Sequence, residues 1–487
     1  MGLDTGRHSR LLKRALPFLA ATFITACGGG DGDGNGTPPA SAAPTFTSPA
    51  TASANENDAG TVYQAIATTA KGGAITYTIG GGTDAARFVI DANGALRFAI
   101  APNFDLPADA NGDNVYEVDV VATAGQSTTT QRVAITVANS REGIQVQRIA
   151  TGFAKAVAIA PIAGGSQLLV AEEDGAIYRF NPQTNERILL YTVGEGQGQA
   201  DREVRSIVPA SDFATTGSFF VLYSVNDRAV VVERYLRNTA GPYAPDNFGP
   251  LLSMSCTDYL GGGWLGLDRN GRLLAAIGDA DIGAGARGAS DPASRFGKLL
   301  RFDPNPDPFA GASPQFFRTT VLGSGLREPN GGFLSTSGLL FADQGESAEE
   351  INLLPFGAIG PNYGWPFRDA TRTIREGAPF ALTDPILTYP HGDGPRAGDD
   401  IVGGVVGTTG SLTGQYLFAD EEKGMFTVPF TALSGGAPLT QTALERRSED
   451  FVADTGKLGD ILAISAGSAG VIYILNDDGE IFSVTAS

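Results

Sequence analysis

Between residues 145 and 487 one pattern returns six times: an apolar strand, a short acidic or glycine turn, and a second apolar strand. The copies are residues 167–180 (QLLVAEEDGAIYRF), 218–236, 271–302, 337–354, 415–430 (QYLFADEEKGMFTVPF) and 471–484 (VIYILNDDGEIFSV). One such unit cannot hide both of its apolar faces, whereas units stacked around an axis cover one another. Six units over this span leave about 57 residues each, enough for a four-stranded sheet and its turns. The spacing therefore predicts a six-bladed β-propeller over residues 145–487. The 65 glycines and 28 prolines fit an all-β chain rich in turns.

Residues 45–139 carry a different pattern. Short alternating runs at residues 60–63, 74–79, 87–90, 96–98, 115–120 and 131–137 are separated by Gly, Asn and Asp turns. This predicts a β-sandwich. Residues 84–98 (DAARFVIDANGALRF) and 103–116 (NFDLPADANGDNVY), with Glu56-Asn57 ahead of the first strand, resemble a cadherin repeat. The resemblance implies calcium ligation by Glu56 and Asp105. Asp109 and Asp113 are local ligand candidates, because an Asp-x-Asn-x-Asp spacing converges oxygens. The chain departs from the cadherin pattern at Ala124, and its linker is reduced to residues 139–142 (NSRE).

The N-terminus reads as a processed segment. Arg7, Arg10, Lys13 and Arg14 precede an apolar run, residues 15–26, too short to span a bilayer. Residues 24–27 (ITAC) resemble a bacterial lipobox, which implies a signal peptide at 1–26 and a lipid on Cys27. Residues 27–44 then form a flexible tether, since Gly, Asp, Pro and Ser bury little apolar surface. The expectation is an extracytoplasmic lipoprotein held on the membrane, and Gly28 after the cysteine favours the outer one. With Cys27 lipidated, no intramolecular disulfide is possible, and Cys256 reads as a small buried hydrophobe. A net charge of −19 argues against nucleic-acid binding.

The larger domain resembles the soluble glucose/sorbosone dehydrogenases that use pyrroloquinoline quinone (PQQ). The segments that carry this are residues 168–175, 271–279, 297–301 and 325–329, then 350–352 with 362–366 (NYGWP). Residues 389–391 and 403–404 fit the hedgehog-interacting-protein-like branch. The resemblance implies an anionic quinone held by cationic side chains and calcium, with a histidine as general base. At the position of that histidine this chain has Leu260, which cannot accept a proton. Arg327 survives from the cofactor clamp, but its neighbour is Glu328. The chain has two histidines, His8 and His391. Asp258, Tyr259, Asp279 and His391 are the groups available to take over as base.

Residues 341–367 (FADQGESAEEINLLPFGAIGPNYGWPF) bring Asp343, Glu346, Glu349 and Glu350 close together in sequence. Such charges repel one another unless solvent or a cation screens them. The resemblance places Glu350 and Tyr363 on a structural calcium, with Glu346 and Glu349 adding charge. Two functions are compatible with this sequence. One is a calcium-binding surface lipoprotein whose propeller binds a glycan or protein, with the first domain as spacer or adhesion module. The other is a PQQ-dependent sugar dehydrogenase with a rebuilt site.

Overall fold

The computed structural model describes residues 42–70, 72–195, 201–237, 243–246, 249–259, 261–280, 288–304, 317–434 and 436–487. The segments read as signal peptide and lipidation site, Cys27 included, lie outside these residues, as does Leu260.

Residues 45–139 form a short two-stranded sheet, Thr45–Phe46 with Ala67–Thr68, and two main packed sheets. Thr51–Asn55, Ser127–Ala138, Val115–Ala124 and Thr76–Gly81 make one; Tyr63–Gln64, Ala95–Phe98 and Phe88–Ile90 make the other. Strict alternation along Val115–Ala124 sends Tyr116, Val118, Val120 and Ala122 inward, where they meet Leu96, Phe98, Val133 and Ile135. Two differences from the sequence reading have a local cause. The run at 60–63 pairs only at Tyr63–Gln64. Thr51–Asn55 (TASAN), whose alternation rests on the small residues Ala52 and Ala54, is nevertheless a strand, because it pairs parallel with Thr51 opposite Ala134.

The rest of the chain folds into six blades among the described residues, each a sheet of four strands, with a fifth strand on the second blade. Their innermost strands are Ala156–Pro161, Arg202–Pro209, Trp264–Leu267, Glu328–Leu334, Ile401–Val406 and Ile461–Ala466. Each touches the next around a ring, and the last touches the first. The sixth blade is closed by Ile144–Ala150, which pairs antiparallel with Ile481–Ala486. The ends of the propeller domain are thus joined by a ladder of backbone hydrogen bonds.

All six sequence repeats fall on the two middle strands of a blade. The second strand of each blade is buried along nearly its whole length, as in Leu168–Glu172, Leu273–Ile277 and Ile472–Asn476. Such strands lie between neighbouring blades and read as continuous apolar runs. Cys256 is only partly buried, against the core between blades 2 and 3.

The sandwich docks on blade 5 around one buried side chain. Arg447 is 3 % exposed and lies among Asp105, Glu142, Glu445 and Asp450. Asn103 Nδ2 donates to Glu445 Oε1, and Arg396 donates to the Asp105 carbonyl.

Candidate functional site

Five of the six inner strands contain a β-bulge at the same level. The extra residues are Val157, Arg205, Gly331, Val402 and Leu462. A bulge re-aims the residue it inserts, and all five line one axial cavity of about 860 Å³. In blade 3, whose inner strand pairs in regular register, the level is filled by Trp264. Its indole lies close against the backbone: a Cβ on Gly332 would stand 2.8 Å from the ring.

The two ends of the cavity differ. Where the inner strands finish, it is lined by Pro161, Pro209, Leu267, Leu334 and Ala466. Where they begin, Arg205, Asp227, Glu328, Asp400 and Glu421 gather at the mouth, with Gln344. Glu328, Asp400 and Glu421 all titrate above the ordinary carboxylate range. Burial is the main cause, and repulsion from Asp400 adds to it at Glu328 and Glu421. The positive groups nearby are already engaged. Arg205 lies 2.5 Å from Glu203 Oε2 and 3.5 Å from Asp227. Arg327, expected to meet an anionic cofactor, lies 2.6 Å from Glu328 and donates to the carbonyls of Gln344 and Gly345.

The carboxylates of residues 341–367, read from the sequence as calcium ligands, do not meet at one point. Glu349 and Glu350 are consecutive in the strand Ala348–Pro355, so they face opposite sides of the sheet. Glu349 pairs with His391 Nε2 at 2.6 Å, and burial pushes its carboxyl up to about 8. Glu350 accepts from Asn352 Nδ2 and the Ala370 amide, and burial pushes it up to about 7. Asp343, in register with Glu350, accepts the amides of Arg327 and Glu328. Glu346 is exposed. The Tyr363 hydroxyl donates to the Leu353 carbonyl, and its ring stands edge-on to Phe341.

The first-domain set is dispersed as well. Glu56 accepts from the Phe104 amide and from the Ser140 amide and hydroxyl. Asp109 accepts the amides of Asp113 and Asn114, and Asp113 accepts that of Val115. Asp105 turns to Arg447. Among the described residues no three His, Cys, Asp or Glu side chains are grouped to hold a metal ion.

The substitute bases also separate. Asp279 is buried and accepts from Trp365 Nε1 and the Ala280 and Ala289 amides. Beside it the Lys298 ammonium donates to three backbone carbonyls. The Tyr259 hydroxyl donates to the Gly262 carbonyl, and burial raises its pKa. Asp258 is exposed. His391, its pKa raised by Glu349, is the one candidate that combines a titratable ring with a fixed orientation. Its other nitrogen lies 3.8 Å from Asp399, the neighbour of the mouth residue Asp400. Sequence reasoning missed the mouth: Asp227 and Glu421 fall in the turns of two repeats and Asp400 in none, and nothing in the repeats marks them as a shared site.

The family model described as Glucose / Sorbosone dehydrogenase matches residues 153–384, which takes in blades 1 to 3 and most of blade 4. No curated protein matches the chain. Among solved structures it is similar to the PQQ-bound aldose sugar dehydrogenase of Streptomyces coelicolor. That pair shares 20 % identity with a TM-score of 0.51, over 71 % of this chain and 99 % of that one. It is also similar to the soluble aldose sugar dehydrogenase of Escherichia coli in its apo form, at 18 % identity and a TM-score of 0.51, over 71 % and 100 %. The chain therefore carries a glucose/sorbosone dehydrogenase-like propeller, related in fold to PQQ-dependent sugar dehydrogenases.

Proposed function

We propose that this propeller is a ligand-binding module of the bacterial cell surface, not a quinone enzyme. In this reading Cys27 carries the lipid anchor, and the cadherin-like sandwich holds the propeller away from the membrane. A glycan or protein ligand enters the charged mouth of the axial cavity. The carrying observation is the mouth itself: four carboxylates face it, and the two guanidinium groups beside it already have acidic partners. An anionic quinone would meet uncompensated negative charge there, so the residues present do not fit that cofactor. The family's base position holds Leu260, and losing a general base costs about 100- to 10,000-fold in rate.

The dehydrogenase reading has one observation in its favour, the Glu349–His391 pair one blade edge away from Asp400. One titration separates the two. The full chain is mixed with PQQ and calcium, and quinone absorbance and dye reduction are followed with a panel of aldoses. The binding-module reading expects no saturable quinone uptake. Sugar-dependent turnover would overturn it.

A further inference from the structure

The rim charges and the aromatic wall together narrow the ligand of the axial cavity, on the premise of the binding-module reading. Asp227, Glu328, Asp400 and Glu421 outnumber the two guanidinium groups beside them, Arg205 at 3.5 Å from Asp227 and Arg327 at 2.6 Å from Glu328. They come from blades 2, 4 and 5, so they are spread around the rim. Among the described residues no three such groups converge on a metal ion. Negative charge spread over a cavity of about 860 Å³ suits a ligand with spaced positive groups better than a single small cation.

The level beneath the rim has a second character. Val157, Val402 and Leu462 present apolar surface, and Trp264 contributes an indole packed closely against Gly332. An indole face attracts an ammonium group and also packs well against an apolar ring face. Gly331, at the bulge of blade 4, lets the inner strand of blade 5 approach closely: a Cβ there would stand 2.2 Å from the Val402 carbonyl oxygen.

We infer that the axial cavity binds an amine-bearing saccharide, with ammonium groups against Glu328, Asp400 and Glu421 and a sugar ring face against Trp264. Neutral sugars would leave the rim charge uncompensated, and acidic sugars would be repelled. A simple polyamine would satisfy the rim but not the apolar level.

The test is calorimetric titration of the full chain with four probes: a glucosamine tetramer, its fully N-acetylated form, a galacturonate tetramer and spermine. The glucosamine tetramer should bind at least about 10-fold tighter than the other three. Its affinity should fall as salt rises from 50 to 500 mM. Glu328→Gln with Asp400→Asn should weaken it at least about 10-fold, as should Trp264→Ala. The N-acetylated or galacturonate tetramer binding equally well would overturn the inference while leaving the binding-module reading intact. Spermine binding equally well would overturn the saccharide half. Binding of none of the four would overturn the amine-saccharide inference. The quinone titration above tests the wider reading independently. If a variant melts early, the salt dependence and probe ranking of the unaltered chain still decide.

Discussion

Arg447 Nε lies 3.2 Å from Asp105 Oδ2, and this contact joins blade 5 of the propeller to the base of the sandwich. The same nitrogen lies 2.5 Å from Asp450, and Arg447 Nη2 lies 2.6 Å from Glu142. Asp105 Oδ1 and Asp450 Oδ1 are buried without a hydrogen-bond partner. The guanidinium thus stands among carboxylates that the sequence reading assigned in part to calcium.

Removing that cation should be costly. Arg447→Met leaves two buried aspartates facing each other, and breaking a buried ion pair costs about 3–5 kcal/mol. Calorimetry of the variant should show the sandwich melting before the propeller, where the parent unfolds with the two coupled. A parent-like single transition would show that Arg447 is not the clasp.

Stability should fall as pH rises through the neutral range. Asp105, Glu349 and Glu350 have folded-state values of about 8, 8 and 7, raised chiefly by burial. Unfolded carboxyls titrate near 4. Between those limits the folded state holds more protons than the unfolded one. The stabilisation is complete at the acid end and is lost as pH climbs through the folded values. His391, raised by Glu349, acts in the same direction. The melting temperature at pH 5.5 should exceed that at pH 8.5; a flat or rising profile would contradict this linkage.

Chelation should matter little to the residues of 341–367. Their carboxylates take protein donors: His391 for Glu349, Asn352 and the Ala370 amide for Glu350, and two amides for Asp343. EDTA or excess calcium should shift the melting temperature by less than about 2 °C. A calcium-dependent rise of 5–10 °C, on the order of 5–10 kcal/mol for a chain this size, would restore a bound ion.

The indole of Trp264 needs glycine beneath it. Gly332→Ala places a methyl group 2.8 Å from the ring, and overpacking of this kind costs about 1–3 kcal/mol. The ring should swing into the cavity, visible as a shift in tryptophan fluorescence and a loss of ligand affinity. Unchanged fluorescence would mean that the backbone yields instead.

The six repeats were legible because second strands such as Leu168–Glu172 are buried on both faces and read as unbroken apolar runs. The inner strands were not. Val157, Arg205 and Val402 sit at bulges, where one extra residue breaks the period of two. The closing strand Ile144–Ala150 lies more than 300 residues from its partner, so no local pattern could pair them.

By itself, then, the sequence determined the repeat number, the alternating core of the sandwich and the presence of a leucine, which cannot take a proton, at position 260. These follow from local periodicity and residue chemistry. Only the tertiary structure decided where the charges go. Pleating sends Glu349 and Glu350 to opposite faces, and ring closure brings Glu328 and Asp400 to one mouth. Docking of the first domain puts Arg447 against Asp105. Electrostatic interactions depend on separation in space, and in a propeller neighbours in space are rarely neighbours in the chain.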